Sequence, residues 1–238
     1  MSKLKTLGLG LIAVMAMAAM AAPAQAVEKG DFWAAAGATK IDATGGKSTF
    51  VFGGKELTCP AVTGNAVYKE EGPTLTGENI RYGDANHTCH VVVFGITFPI
   101  TVDENSCHFT FHAGTYTPSE GVSHGSVTIE NCENDSITIT IWPPGSHPNP
   151  DPPECTLHIP EQTINGITYD NVTTEENKMA VEITPNNAPV TTTQTKTEGS
   201  FVCPEHLHGN ATYNGSVLAK ATNDDEEFVD TTVTGTEL

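Results

Sequence analysis

Apolar and polar residues alternate through residues 107–112, where the cysteine and both phenylalanines fall on one face of an extended strand and the threonine and both histidines on the other. This pattern predicts a half-buried β-strand. Residues 127–130 alternate in the same way and are its predicted partner. Because the alternation returns at 137–141 and again at 155–159, the middle of the chain predicts a series of antiparallel strands.

The rest of the chain carries short strand patterns and hardly any helical periodicity. Its 34 threonines suit the pleated, half-buried surface of strands. We predict an all-β protein, built as one or more antiparallel β-sandwiches with structural disulfides. Residues 27–46 are expected to be a loosely attached segment that leads into a first strand. Further strands are predicted at residues 48–52, 56–59, 74–82 (a polar edge strand), two across 89–102 that join or bend near Gly95, 164–169, 179–183, 191–197, 200–203, 211–221 and 228–233.

The proline-rich residues 142–153 cannot continue a strand ladder, because proline has no backbone N–H to donate. They are either a linker between domains or a long hairpin loop. We favour the loop, since apolar alternation resumes at Cys155. Residues 27–238 are therefore expected to form one large domain, or two small ones that divide near 103–106.

Residues 1–26 have the features of a signal peptide. Lys3 and Lys5 precede an apolar run, which ends in the small-residue cleavage pattern Ala24-Gln25-Ala26. A membrane anchor is the alternative, but the run is short and ends in a cleavage pattern. We predict export to the cell envelope or the medium, with no membrane span after signal removal.

An even number of cysteines in an exported chain predicts three disulfides, and six cysteines allow 15 connectivities. We favour pairing them in chain order. The hairpin supports Cys107 with Cys132, although strict alternation would turn Cys132 away from the buried face unless a bulge at Glu130-Asn131 corrects the phase. The three favoured pairs are Cys59 with Cys89, Cys107 with Cys132, and Cys155 with Cys203.

Several of these motifs together resemble a group of secreted, disulfide-bonded, β-rich bacterial proteins with no assigned function. They are Cys89 followed by Gly95, Ser-Cys-x-Phe-x-Phe-His-Ala-Gly from Ser106, Cys-Thr-Leu-His-Ile-Pro from Cys155, and Tyr-x-Gly-x-Val from Tyr213. The resemblance implies export, disulfides and β architecture. It places no catalytic residue on any position of this chain.

The strong acidity limits the possible partners. The formal net charge is −18, and loss of Lys3 and Lys5 with the signal makes it −20. Such a surface repels nucleic acid and anionic lipid. Possible partners are a neutral glycan, a cationic peptide or further copies of the protein.

Histidines at strand spacing raise a metal hypothesis. The candidate ligands are His108 with His112 and His206 with His208, because such spacings place both side chains on one face of a strand. Solvated strand histidines are the favoured interpretation. The acidic residues 224–227 lack the ligand order of a calcium loop and are interpreted as a solvated turn. No cofactor is indicated.

No catalytic residue is predicted, because the sequence has no linear motif for a nucleophile, a zinc protease or a phosphate-binding loop. The favoured function is a non-enzymatic exported recognition or structural module that presents the polar face of the central hairpin. A histidine-rich metal-binding protein and a carbohydrate-active protein are the alternatives. The residues predicted on the polar face are His108, Thr110, His112, Thr128 and Glu130.

Overall fold

The computed structural model describes residues 28–83, 89–145, 152–196, 200, 202–203 and 208–236. The predicted signal peptide lies outside the described residues. The described chain is β-strand apart from its connections and one 3₁₀ turn, Glu133–Asp135. The strands are β1 Glu28–Ala34, β2 Ala38–Gly45, β3 Ser48–Phe52, β4 Lys55–Cys59, β5 Val62–Val67, β6 Thr74–Tyr82, β7 Cys89–Val93, β8 Ile96–Asp103, β9 His108–Thr117, β10 Val122–Glu130, β11 Ser136–Ile141, β12 Cys155–Pro160, β13 Gln162–Thr173, β14 Met179–Pro185, β15 Ala188–Lys196, β16 His208–Asn214, β17 Val217–Asn223, β18 Phe228–Val229 and β19 Thr231–Thr236.

The strands form two sheets, and each sheet closes on itself as an antiparallel barrel of eight strands. The first barrel runs in the order β10, β13, β14, β17, β2, β5, β6, β9 and closes where β9 pairs with β10. The second runs β11, β12, β15, β16, β3, β4, β7, β8 and closes where β8 pairs with β11. The prediction of an all-β protein with disulfides is confirmed, but the prediction of a sandwich is wrong. Alternation requires one buried face for each strand, and a closed barrel supplies that face as well as two stacked sheets do.

The two barrels are joined end to end by the chain, which alternates between them hairpin by hairpin. β2 continues into β3, β4 into β5, and so on around the ring, so the strands keep the same circular order in both barrels. We call the level of these crossings the waist. The crossings whose residues are all described are 46–47, 60–61, 104–107, 131–135, 161, 186–187 and 215–216.

Glycine bulges curve the first barrel. The ladders of β9 and β13 against β10 shift register beside Gly125, and Gly114 and Gly166 there have φ of 63° and 80°. A residue with a side chain is strained at such φ values, so glycine permits the bulge. A bulge bends its strand and increases the local twist, which helps a sheet to close.

Strands β1 and β19 close the end of the first barrel that lies away from the waist. They pair with each other, and β19 contacts β9, β10, β13 and β14. The Asn171 side chain on β13 donates to the Val233 carbonyl and accepts from the Val233 N–H, both at 2.7 Å. Phe32 of β1 packs edge-on against Tyr169, with ring centroids 5.2 Å apart. The expected loose N-terminal segment is therefore two ordered strands, and β1 belongs to the core.

Three disulfides link Cys59 to Cys89, Cys107 to Cys132, and Cys155 to Cys203. They are the pairs that the sequence favoured. Cys132 reaches Cys107 although strict alternation would turn its side chain away. Strand β10 ends at Glu130 and Asn131 adopts a φ of 54°, so the alternation of the strand no longer applies at Cys132. The first two bridges lie at the waist, and the third ties β12 to the chain between β15 and β16 at the far end of the second barrel. Structural disulfides indicate an oxidising, extracytoplasmic environment.

The proline-rich segment connects two strands of one hairpin. β11 and β12 pair with each other up to Ile141 and Cys155, as the loop interpretation predicted. Two other strand predictions are wrong. Strand β6, expected at an edge, pairs on both sides, with β5 and β9, because closure leaves the barrel no edge. Described residues 200 and 202–203, expected in a strand, lie outside any ladder.

Candidate functional site

The predicted polar face is present on the outside of the first barrel. Thr110 donates a hydrogen bond to the Glu130 carboxylate and lies 3.4 Å from the Thr76 hydroxyl. In the next row the His112 ring nitrogen lies 3.0 Å from Thr128 Oγ1, which is 3.1 Å from Thr163 Oγ1. These contacts cross β6, β9, β10 and β13, and we call the six residues the outer ladder. His108 faces Glu130 across the β9 and β10 pair.

The histidines do not assemble into a metal site within the part of the chain that the structure describes, where no group of three or more metal-ligating side chains comes together. His112 is engaged in the outer ladder. His206 and the side chain of His208 lie outside the described residues. The acidic residues 224–227 form a turn, in which the Asn223 side chain accepts hydrogen bonds from the backbone of Asp225 and Glu227.

The most distinctive feature of the interior is an apolar cavity of about 130 Å³ inside the first barrel, against the waist. Side chains of both barrels enclose it, and carbon atoms form nearly all of its wall. Its lining residues are Ala43, Phe50, Val62, Thr63, Gly64, Ile80, Tyr82, Phe109, Phe111, Val127, Ile129, Ile137, Ile159, Ile164, Ile167, Ile183, Pro185, Val190, Tyr213 and Val217.

The cavity exists because small residues meet where larger ones would fill the barrel. Ala43 on β2 pairs with Gly64 on β5, and both line the cavity. A Cβ added at Gly64 would lie only 3.1 Å from Ile80 Cγ1, so Ile80 packs closely against the Gly64 backbone and the free space lies on the Ala43 side. A single larger residue at Ala43 would therefore occupy part of the cavity.

A break in the β5 and β6 ladder adjoins the cavity. The register shifts between Thr63 and Asn65, and Asn79 on the facing strand has a φ of 51°. Among the described residues that line the cavity, Thr63 alone is exposed. The strand ladder between the cavity and solvent is therefore interrupted beside Thr63.

A second apolar cavity of about 50 Å³ lies beyond the waist, inside the second barrel. Five side chains line both cavities and separate them as a single layer, which we call the septum. The septum residues are Phe50, Tyr82, Ile137, Ile159 and Tyr213.

The polar atoms of the septum are hydrogen-bonded among themselves. The Tyr82 and Tyr213 rings meet edge-on with centroids 6.2 Å apart, and the Tyr213 hydroxyl hydrogen-bonds to both Tyr82 and Ser48. Burial raises the pKa of both tyrosines, so both are neutral at physiological pH. The cavities therefore present carbon and offer no charge to an occupant.

No helix of the described chain is long and apolar enough to cross a bilayer.

Comparison with protein-family models, curated proteins and solved structures finds no match. The resemblance to secreted bacterial β-rich proteins stays a prediction, while the disulfide-bonded β architecture that it implied is present. Sequence reasoning missed the cavity, its tyrosines and the septum. The available signal was the small size of Ala43 and Gly64, which lie outside the strands that the sequence predicted, and its meaning depends on the pairing of β2 with β5.

Proposed function

We propose that the protein is an exported, non-enzymatic binding module that holds a small, uncharged, apolar molecule inside its first barrel. The observation that carries the proposal is the carbon-lined cavity of about 130 Å³. Eight-stranded barrels are just wide enough to be filled by their own side chains or to enclose one small ligand. Apolar cavities of similar size stay dry and take up benzene-sized molecules.

The energetic cost of the cavity supports a function for it. At about 24 cal/mol per Å³, an empty space of this size lowers stability by about 3 kcal/mol. Typical net stabilities are only about 5–15 kcal/mol. A larger side chain at Ala43 could reduce this cost, so the alanine at this position supports an occupied barrel.

Toluene and phenol test the proposal, because they have nearly the same shape and differ in one hydroxyl. Toluene should raise the melting temperature and bind in calorimetry. Phenol should bind about tenfold more weakly or worse, since burying its hydroxyl without a partner costs about 1–3 kcal/mol. Absence of toluene binding to the folded protein would overturn the proposal.

A matched pair of variants on β2 locates the bound toluene. Ala43→Leu places an isopropyl group in the cavity and should abolish toluene binding while the protein stays folded. Thr44→Leu, at the exposed neighbouring position, adds apolar bulk outside the barrel and should leave binding unchanged. Equal toluene affinity of both variants would place the toluene elsewhere.

The outer ladder supports a second candidate function, recognition of a neutral polar partner such as a glycan. Its hydroxyl and imidazole groups are held in rows across four strands, so they are organised before a partner arrives. A glycan array with the wild type and Thr128→Val tests this candidate, with Thr44→Val as the control. If Thr128→Val binds the same glycan as strongly as the wild type, the outer ladder is not the glycan-binding surface. A cationic peptide and self-association stay predictions.

A further inference from the structure

We infer that the occupant is a neutral linear alkyl chain, which runs along the barrel axis from the first cavity through the septum into the second cavity. This inference rests on the proposed function and adds the shape and class of the ligand. The observation behind it is that the two cavities share the five side chains of the septum. One layer of side chains is all that divides the interior space.

The direction of the combined space favours a chain over a compact ring. The first cavity lies among β2, β5, β9 and β13, and the second continues past the waist to Leu57, Ile100 and Ile139 of the second barrel. Because an eight-stranded barrel is about one ligand wide, its added space extends along its axis. A ring fills the first cavity and stops there, whereas a flexible chain can enter both.

The septum has the character of a movable layer at its tyrosines. Tyr82 and Tyr213 meet at their ring edges, Tyr213 hydrogen-bonds to Tyr82 and to Ser48, and the remaining members are aliphatic or phenyl groups. Side-chain rotation of a tyrosine would open a passage with no change in the strand ladders.

The charge of the protein and of its cavity walls limits the end group that the alkyl chain can carry. The described residues that line the two cavities include no lysine, arginine or histidine to pair with a carboxylate, and the protein has a formal net charge of −18. A hydrocarbon is compatible with these surroundings, as is a primary alcohol whose chain is long and flexible enough to place the hydroxyl near exposed Thr63, and a fatty-acid carboxylate is not.

A series of primary n-alkanols tests the inference by calorimetry. Burial of each further methylene should tighten binding about fourfold, and this gain should continue beyond the chain length that fills the first cavity. Leu57→Phe fills the second cavity alone, so it should leave short alkanols unaffected and end the gain at a shorter chain. Thr58→Phe, the outward neighbour on β4, is the matched control, and Val102→Phe is a second filling variant if Leu57→Phe does not fold.

The outcomes separate the inference from the proposed function. If the wild type and Leu57→Phe stop gaining affinity at the same chain length, the inference is overturned while toluene binding still supports the proposed function. If carboxylates bind as tightly as alkanols of equal length, the neutral class is wrong. If neither toluene nor any alkanol binds, both proposals are overturned.

Discussion

Alkaline pH should destabilise this protein through three tyrosines, and the size of the effect follows from their burial. Burial raises the pKa of Tyr82, Tyr169 and Tyr213 above the ordinary value for tyrosine. Tyr169 has no exposed surface and donates a 2.8 Å hydrogen bond to the Ser126 carbonyl, a contact that only the protonated form can make. In the unfolded chain the same side chains ionise near pH 10.

The sign follows from proton binding. Above about pH 10 the unfolded chain releases the three phenolic protons and the folded protein keeps them, so the free energy of unfolding falls as pH rises. The stabilisation is complete below the unfolded pKa and is lost progressively as the pH rises toward the raised folded-state pKa. A tyrosine that stays protonated in the folded protein contributes about 1.4 kcal/mol between about pH 9 and about pH 11, so the upper limit for the three together is about 4 kcal/mol.

Urea unfolding at several pH values between these limits measures the effect, and native-state tyrosinate absorbance shows how many phenols stay protonated. Tyr169→Phe should lower the pH dependence by no more than about 1.4 kcal/mol over this range, at the expense of the hydrogen bond to Ser126. Tyr116→Phe, on β9 and outside the cavity lining, is the control. Ionisation of all tyrosines near pH 10 in the folded protein would refute the reasoning.

Four further predictions concern the disulfides, the fold and its stability. Thiol titration of the unfolded, unreduced protein should find no free thiol, and two or more would contradict the pairing. Cys155 and Cys203 are 48 residues apart, so replacing both by alanine should lower stability by about 4 kcal/mol in the chain-entropy model, as measured by urea unfolding. Gly125→Ala should destabilise by several kcal/mol or prevent folding, because the added Cβ overlaps the His112 carbonyl oxygen, whereas Gly46→Ala meets no atom and should be tolerated. The chain passes repeatedly between the two barrels, so we expect them to unfold together. Calorimetry should then show one transition with equal calorimetric and van't Hoff enthalpies, and two separate transitions would show two domains.

Local pattern predicted the strands of the central hairpin and the disulfides, because both depend on residues that are near in sequence or few in number. The alternation about Phe109 predicts its burial, and hairpin pairing brings Cys107 toward Cys132. Closure was not predictable in this way. It depends on β17 pairing with β2 and β16 with β3, and no local signal distinguishes these pairings from sandwich packing.

The cavity was beyond sequence reasoning for a related reason. Its volume depends on Ala43 facing Gly64, and that register is adjacent to the irregularity between Thr63 and Asn65. A shift of one residue would turn every inward side chain outward, so an unseen bulge leaves the lining undetermined. The polar outer ladder could be predicted, because alternation alone assigns those side chains to the outside.

The ladder between β1 and β19 has a consequence for the order of folding. Some strand pairs, such as β9 with β10 and β11 with β12, are neighbours in sequence as well as in the barrel, so their hairpins form with little loop-closure entropy. The pairing of β1 with β19 instead joins positions such as Lys29 and Thr236, 207 residues apart. Until those ends meet, β1 and β19 retain unpaired edges that can join neighbouring chains. We therefore expect this ladder, which lies outside the two closed rings, to form late, and refolding yield should decrease as protein concentration rises.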